Sequence, residues 1–132
     1  MIKMVLKFVV MVIVFAQILA PIADAAEGRA VSFTILPTLV RSACIQTHYD
    51  TMVVGLRDPL WEKGGGACGR RYRVRCIGAT YHFDRPCTGR TVDVTVVDFC
   101  REPCNGDLNL SRDAFRVIAD TDAGNIRVDY TQ

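Results

Sequence analysis

Six cysteines, Cys44, Cys68, Cys76, Cys87, Cys100 and Cys104, are spread irregularly between positions 44 and 104 of a 132-residue chain. What precedes them decides how they are read. Met1 to Lys7 carries two lysines, Phe8 to Leu19 is apolar apart from Gln17, and Ala23-Asp24-Ala25 offers small residues at the spacing a signal peptidase reads. The apolar run is short for a helix crossing a ~30 Å hydrocarbon layer, and Pro21 and Asp24 close it. The expectation is a cleaved secretion signal over residues 1–25, an oxidising destination, and three disulfides that leave no cysteine as a free nucleophile. A metal site is the rival reading. Against it, Cys-x-x-Cys pairs are absent and the only histidines are His48 and His82, so no metal and no cofactor are expected. Spacing alone does not choose among the possible cysteine pairings.

Residues 26–132 make one domain. Removing Lys3, Lys7 and Asp24 takes the 16 basic and 14 acidic residues to 14 and 13. Near-neutrality argues against a general nucleic-acid or anionic-membrane binder, and no membrane insertion is expected once the signal is gone. A domain this small buries only about 60–68 % of its unfolded surface, which is where cross-links help most.

The pattern along the chain is mostly β. Arg29 to Thr34 reads as a first strand, Pro37 to Ser42 as loop, and Met52 to Leu56 as a short apolar strand ended by Asp58-Pro59. EKGGG, residues 62–66, is a flexible loop. In RRYRVRC, Arg71, Arg73 and Arg75 alternate with Tyr72, Val74 and Cys76, so the arginines share one face of a strand. Gly78 to Phe83 reads as a further short strand and Arg85 to Gly89 as a turn. Thr91 to Val97 is the clearest strand, with Val92, Val94 and Val96 on one face and Thr91, Asp93, Thr95 and Val97 on the other. Ser111 is placed to cap one short helix with Ala114, Phe115 and Ile118 on its buried stripe. Asn125 to Tyr130 reads as the last strand.

Three stretches, ACGRRYRVRCIGAT (67–80), CTGRTVDVTVVDFC (87–100) and REPCNGDLNLSRDAFRVIADTDAGNIRVDY (101–130), carry more than periodicity. They resemble the plant natriuretic peptides, the endoglucanase-45-like branch of the expansin superfamily. The resemblance implies a six-stranded double-psi β-barrel with one short helix and three disulfides, paired Cys44 with Cys68, Cys76 with Cys87, and Cys100 with Cys104. It also implies secretion to the apoplast and a non-enzymatic role in water and solute balance. The implied partner is a plasma-membrane receptor, of receptor-kinase type. Between Val31 and Lys63 the chain departs from that family's pattern, reading SFTILPTLV and then CIQ where tyrosines, a Pro-Pro-Tyr run and an aromatic-Gly pair are usual.

A glycosidase needs two carboxylates across a groove. The expansin-like pattern puts one in His-Phe-Asp-Leu-Ser before a helix; the matching run here is Asp107-Leu108-Asn109-Leu110-Ser111, with an amide at the acid position. The second would come from the first strand, which offers Phe33-Thr34. Tyr81-His82-Phe83-Asp84 contains His-Phe-Asp verbatim but lies before the VVDFC strand instead of after it, and reads as a strand end with a solvated His and Asp. Asp98 is the best remaining acid, and Asp107 reads as loop or cap chemistry. The groove candidates are therefore Asp98, Asn109, Asp107 and Tyr72, with no catalytic residue expected. A cell-wall polysaccharide is the alternative ligand, bound or weakly cleaved, and defence against microbial walls is a further possibility that the fold allows. An ordinary sugar platform would need coplanar aromatics, for which Trp61 and Tyr72 are the candidates. Asn109-Leu110-Ser111 is also a glycosylation sequon, expected to be poorly used if Asn109 floors the groove and Ser111 caps the helix.

Overall fold

The computed structural model describes residues 2–8, 25–33, 42–44, 50–62 and 66–132. Most of the expected signal, Thr34, His48 and most of the EKGGG loop lie outside them. Among the described residues, no helix is long and apolar enough to cross a membrane. Residues 2–8 are helical (α1) and exposed.

Six strands follow: β1 (Ala26–Phe33), β2 (Val53–Leu56), β3 (Arg71–Ala79), β4 (Thr91–Phe99), β5 (Leu108–Ser111) and β6 (Asn125–Thr131). They close into a barrel in the order β1-β5-β2-β4-β3-β6. The pairs β1–β5 and β2–β4 are parallel and the rest antiparallel. This is the double-psi barrel, and its closure leaves no edge strand to pair with another chain. Val74, Val94, Val96, Leu108, Leu110, Ile126 and Val128 fill it, and helix α2 (Arg112–Ile118) plugs it with Ala114, Phe115 and Ile118, all fully buried. That is the stripe the sequence indicates.

One strand is not where its sequence pattern suggests. Gly78 and Ala79 belong to the end of β3, where they pair with Arg127 and Ile126 past an irregularity between Cys76 and Gly78. The chain then bends, and Thr80 is held to Asn125 by its hydroxyl at 2.7 Å; no strand covers 80–83. The sixth strand is Leu108–Ser111 instead. Two leucines two apart are enough, because they drop into the barrel between β1 and β2.

The disulfides are Cys44–Cys68, Cys76–Cys87 and Cys100–Cys104, with Cα separations of 5.6, 5.3 and 6.0 Å. These are the pairs the resemblance implies. The first joins the segment before β2 to the turn before β3. The second ties β3 to the connection into β4, and the third closes the loop after β4. The arginine face of β3 is largely neutralised by its neighbours in the sheet. Arg73 pairs with Asp93 at 2.8 Å and Arg75 with Asp129, each a cross-strand partner in register. These pairs raise both guanidinium pKa values and lower that of Asp93, in each case chiefly through the side-chain hydrogen bond.

Candidate functional site

Strict alternation along β4 would send Asp98 into the core beside Val94 and Val96. It does not go there, because Val54 pairs with Val96 and Gly55 with Asp98, leaving Val97 as an extra residue. The bulge buries Val97 completely, though its place in the alternation assigned it to the exposed face, and turns Asp98 out of the barrel. Re-aiming a side chain is a common use of a bulge. Val97 also accepts a hydrogen bond through its carbonyl from the Cys44 amide at 3.2 Å.

Asp98 then lines a groove of about 550 Å³ together with Phe33, Gly55, Phe99, Arg101 and Asn109. The arrangement is set by register: Gly55 on β2 faces Asp98 on one side and Asn109 on the other. A Cβ at Gly55 would lie 3.6 Å from that of Asp98 and 3.7 Å from that of Asn109. Three positions far apart in sequence thus form the groove floor. One Asp98 oxygen accepts from the Ala43 amide at 2.9 Å, fixing the segment that carries Cys44; the other has no protein partner among the described residues. The Asn109 amide nitrogen approaches Cys104 Sγ at 3.4 Å. Asn109 offers neither an acid nor a base near neutral pH. On β1, Phe33 lines the groove; Thr34, its neighbour in the pair that the expansin-like pattern puts at the second acid position, is outside the described residues.

Two candidates lie elsewhere. Asp107 is only two residues from Asn109, but it lines a separate polar pocket, where its carboxylate pairs with Arg57 and accepts from the Arg29 amide at 2.9 Å. Tyr72 is not a groove residue. The alternation that exposes Arg71 and Arg73 buries Tyr72, which packs edge-on against Tyr130 with ring centroids 5.9 Å apart. Trp61 is also buried and stacks on Phe99 at 5.4 Å, so Trp61 and Tyr72 form no shared sugar platform. The groove's aromatic surface comes from Phe33 and Phe99, with Trp61 beneath the latter. The residues that sequence reasoning missed, Gly55, Phe99 and Arg101, had one available signal. An isolated glycine inside an apolar strand often marks a close approach or a bulge. His82 is exposed, and neither it nor Asp84 lines the groove. Among the described residues no cluster of His, Cys, Asp or Glu could hold a metal ion.

A family model described as "Lytic transglycolase" matches residues 53–130, from β2 to the end of the barrel. EG45-like domain containing protein 2 of Arabidopsis thaliana is 74 % identical over 131 residues, covering 99 % of this chain and 98 % of that protein. The chain belongs to the EG45-like domain family. An EG45-like domain containing protein of Citrus jambhiri is 38 % identical over 83 % of each chain. Among solved structures, a point mutant of the Clavibacter michiganensis expansin in complex with cellohexaose is similar at 27 % identity and a TM-score of 0.62. That match covers 82 % of this chain and 50 % of the expansin, so the EG45-like chain spans half the expansin's length. A Streptomyces papain inhibitor, at 23 % identity and a TM-score of 0.55, shares the fold.

Proposed function

We propose that this EG45-like protein is a secreted, non-hydrolytic binding protein of the plant apoplast. Its role is in water and solute balance, as its resemblance to the natriuretic peptides implies, with a plasma-membrane receptor as its partner. The observation that carries the non-hydrolytic reading is the floor of the groove, where Asp98 and Asn109 flank Gly55. A hydrolase of this design must protonate a leaving group and activate water with two separate carboxylates. Here one position is an amide, the described part of the first strand brings Phe33 and no acid to the groove, and half of the remaining carboxylate is engaged by the Ala43 amide.

A glycan ligand for the same groove is the second reading. It is favoured by Phe33 and Phe99 lining the groove alongside Asp98, Asn109 and Arg101, and by similarity to an expansin held with cellohexaose.

Gly55→Ala tests the groove. The added methyl meets its nearest neighbours at 3.5–3.7 Å, ordinary contact distances, so the fold should tolerate it while the groove floor is raised. Purified wild type and variant would be titrated with cellohexaose and, separately, with plasma-membrane vesicles, alongside a reducing-sugar assay. Binding of either probe that weakens in Gly55→Ala at an unchanged melting temperature supports the groove and names its ligand. Binding indifferent to Gly55→Ala removes the groove from the function, and sugar release by the wild type removes the non-hydrolytic reading.

A further inference from the structure

A second pocket, of about 830 Å³, shares no lining residue with the groove, although Cys100 lines the groove and its disulfide partner Cys104 lines this pocket. The charge in it is unbalanced. Arg29 and Arg57 face a single carboxylate, Asp107, and both oxygens of that carboxylate are engaged, one by Arg57 and one by the Arg29 backbone amide. The Arg29 guanidinium has no acidic partner among the described residues. Its cross-strand neighbour in register is Arg127, a like charge that is also unpaired among the described residues. Like charges directly opposite on a sheet are destabilising, and although Arg127 does not itself line the pocket, its place opposite Arg29 adds to the positive charge on this face.

Three further features specify the anion. Tyr81 lines the pocket and is 68 % exposed; it is the one exposed large aromatic of the described barrel residues. Its ring face, negative in the quadrupole sense, suits the weakly positive C–H face of a sugar ring. Asn105, also exposed and lining the pocket, adds an amide that can serve hydroxyls. Arg57 is held in place by Asp107, and a fixed guanidinium fork matches the planar geometry of a carboxylate better than that of a neutral hydroxyl.

We propose that this pocket binds a carboxylated sugar, a hexuronate unit of an oligosaccharide, with Arg29 and Arg57 at the carboxylate and Tyr81 beneath the ring. The site is separate from the groove, and its test does not depend on what the groove holds.

The disulfide-bonded protein would be titrated with trigalacturonate, with its methyl ester, and with inorganic phosphate, following amide shifts by NMR. Trigalacturonate should bind with shifts at Arg29, Tyr81, Asn105 and Gly124, and the methyl ester about tenfold or more weaker, as loss of a charge-assisted hydrogen bond predicts. Arg29→Gln should weaken the acid by a similar factor and leave the ester unaffected. Tyr81→Ala should weaken both sugars. Both side chains project from the surface, so Tyr81→Ala should leave the melting temperature unmoved, and Arg29→Gln should hold it or raise it slightly by removing the like charge opposite Arg127. Equal affinity for acid and ester, or no effect of Arg29→Gln, would overturn the carboxylate assignment. Phosphate binding as tight as trigalacturonate, or no effect of Tyr81→Ala, would overturn the sugar.

Discussion

Ser111→Ala removes one oxygen that holds three pieces of the fold together. Ser111 is fully buried, and its hydroxyl accepts from the Ala114 amide at 3.2 Å, capping α2. The same oxygen donates to the Thr51 carbonyl at 2.6 Å and lies 3.5 Å from the Val53 amide, so it ties the helix start to the lead-in of β2. Loss of an N-cap costs about 1 kcal/mol. Losing the bonds to the β2 lead-in adds about 1–2 kcal/mol, toward the lower end for an orphaned group because Thr51 is exposed and water can reach its carbonyl. Against a total of about 5–15 kcal/mol for a domain of this size, a loss of about 2–3 kcal/mol should lower the melting temperature by roughly 10–15 °C. Urea unfolding followed by circular dichroism measures it, with an unchanged m-value confirming that stability alone has moved. Ser111→Gly separates the two terms, since glycine at a cap costs only a few tenths of a kcal/mol. It should recover the cap share and still lose about 1–2 kcal/mol. If Ser111→Gly is as stable as wild type, the tie to β2 contributes nothing and the hydroxyl is a helix cap alone.

Replacing Cys44 and Cys68 together by alanine reopens a loop of 24-residue separation and should cost about 3.5 kcal/mol by chain entropy; a melting temperature unchanged from wild type would contradict this. Tyr130 has its pKa raised from 10.0, first by burial and then by the charges of Asp107 and Tyr72. A raised folded-state value means that its contribution to stability is complete below about pH 10 and is lost as pH climbs through the folded value. Phenolate absorbance should therefore show a late-titrating component that Tyr130→Phe removes, and stability should fall less steeply at alkaline pH in that variant. Asn109→Asp should fold, since the side chains are nearly isosteric, yet release no reducing sugar from cellulose, xylan or mixed-linkage glucan, because Phe33 supplies no second acid. Hydrolysis by this single variant would mean that Asp98 already serves as that acid.

Local chemistry in the sequence was enough for whatever depends on near neighbours. The serine cap and the Ala114, Phe115, Ile118 stripe are properties of one helical turn after another, and the valine alternation of β4 and the arginine alternation of β3 are properties of a single strand. The even cysteine count fixed the number of cross-links, while their pairing came from resemblance and not from spacing. LNLS was the local failure: four residues are too few for periodicity to declare a strand, and only the neighbours β1 and β2 make it one. Tertiary structure decided the site. No pattern within residues 91–99 shows that Val97 will bulge, since the bulge exists only against β2, and without it Asp98 would lie in the core. Gly55, Asp98 and Asn109 meet because two parallel crossovers place β2 between β4 and β5. Asp107 and Asn109, two apart in sequence, part company: Asp107 is held by Arg57 and the Arg29 amide in one pocket, while Asn109 lines the groove beside Gly55. Charge is decided the same way: Arg73 and Arg75 give β3 a basic face in the sequence, and Asp93 and Asp129 neutralise it from across the sheet. Arg29 looks like any surface arginine until the register sets Arg127 opposite it.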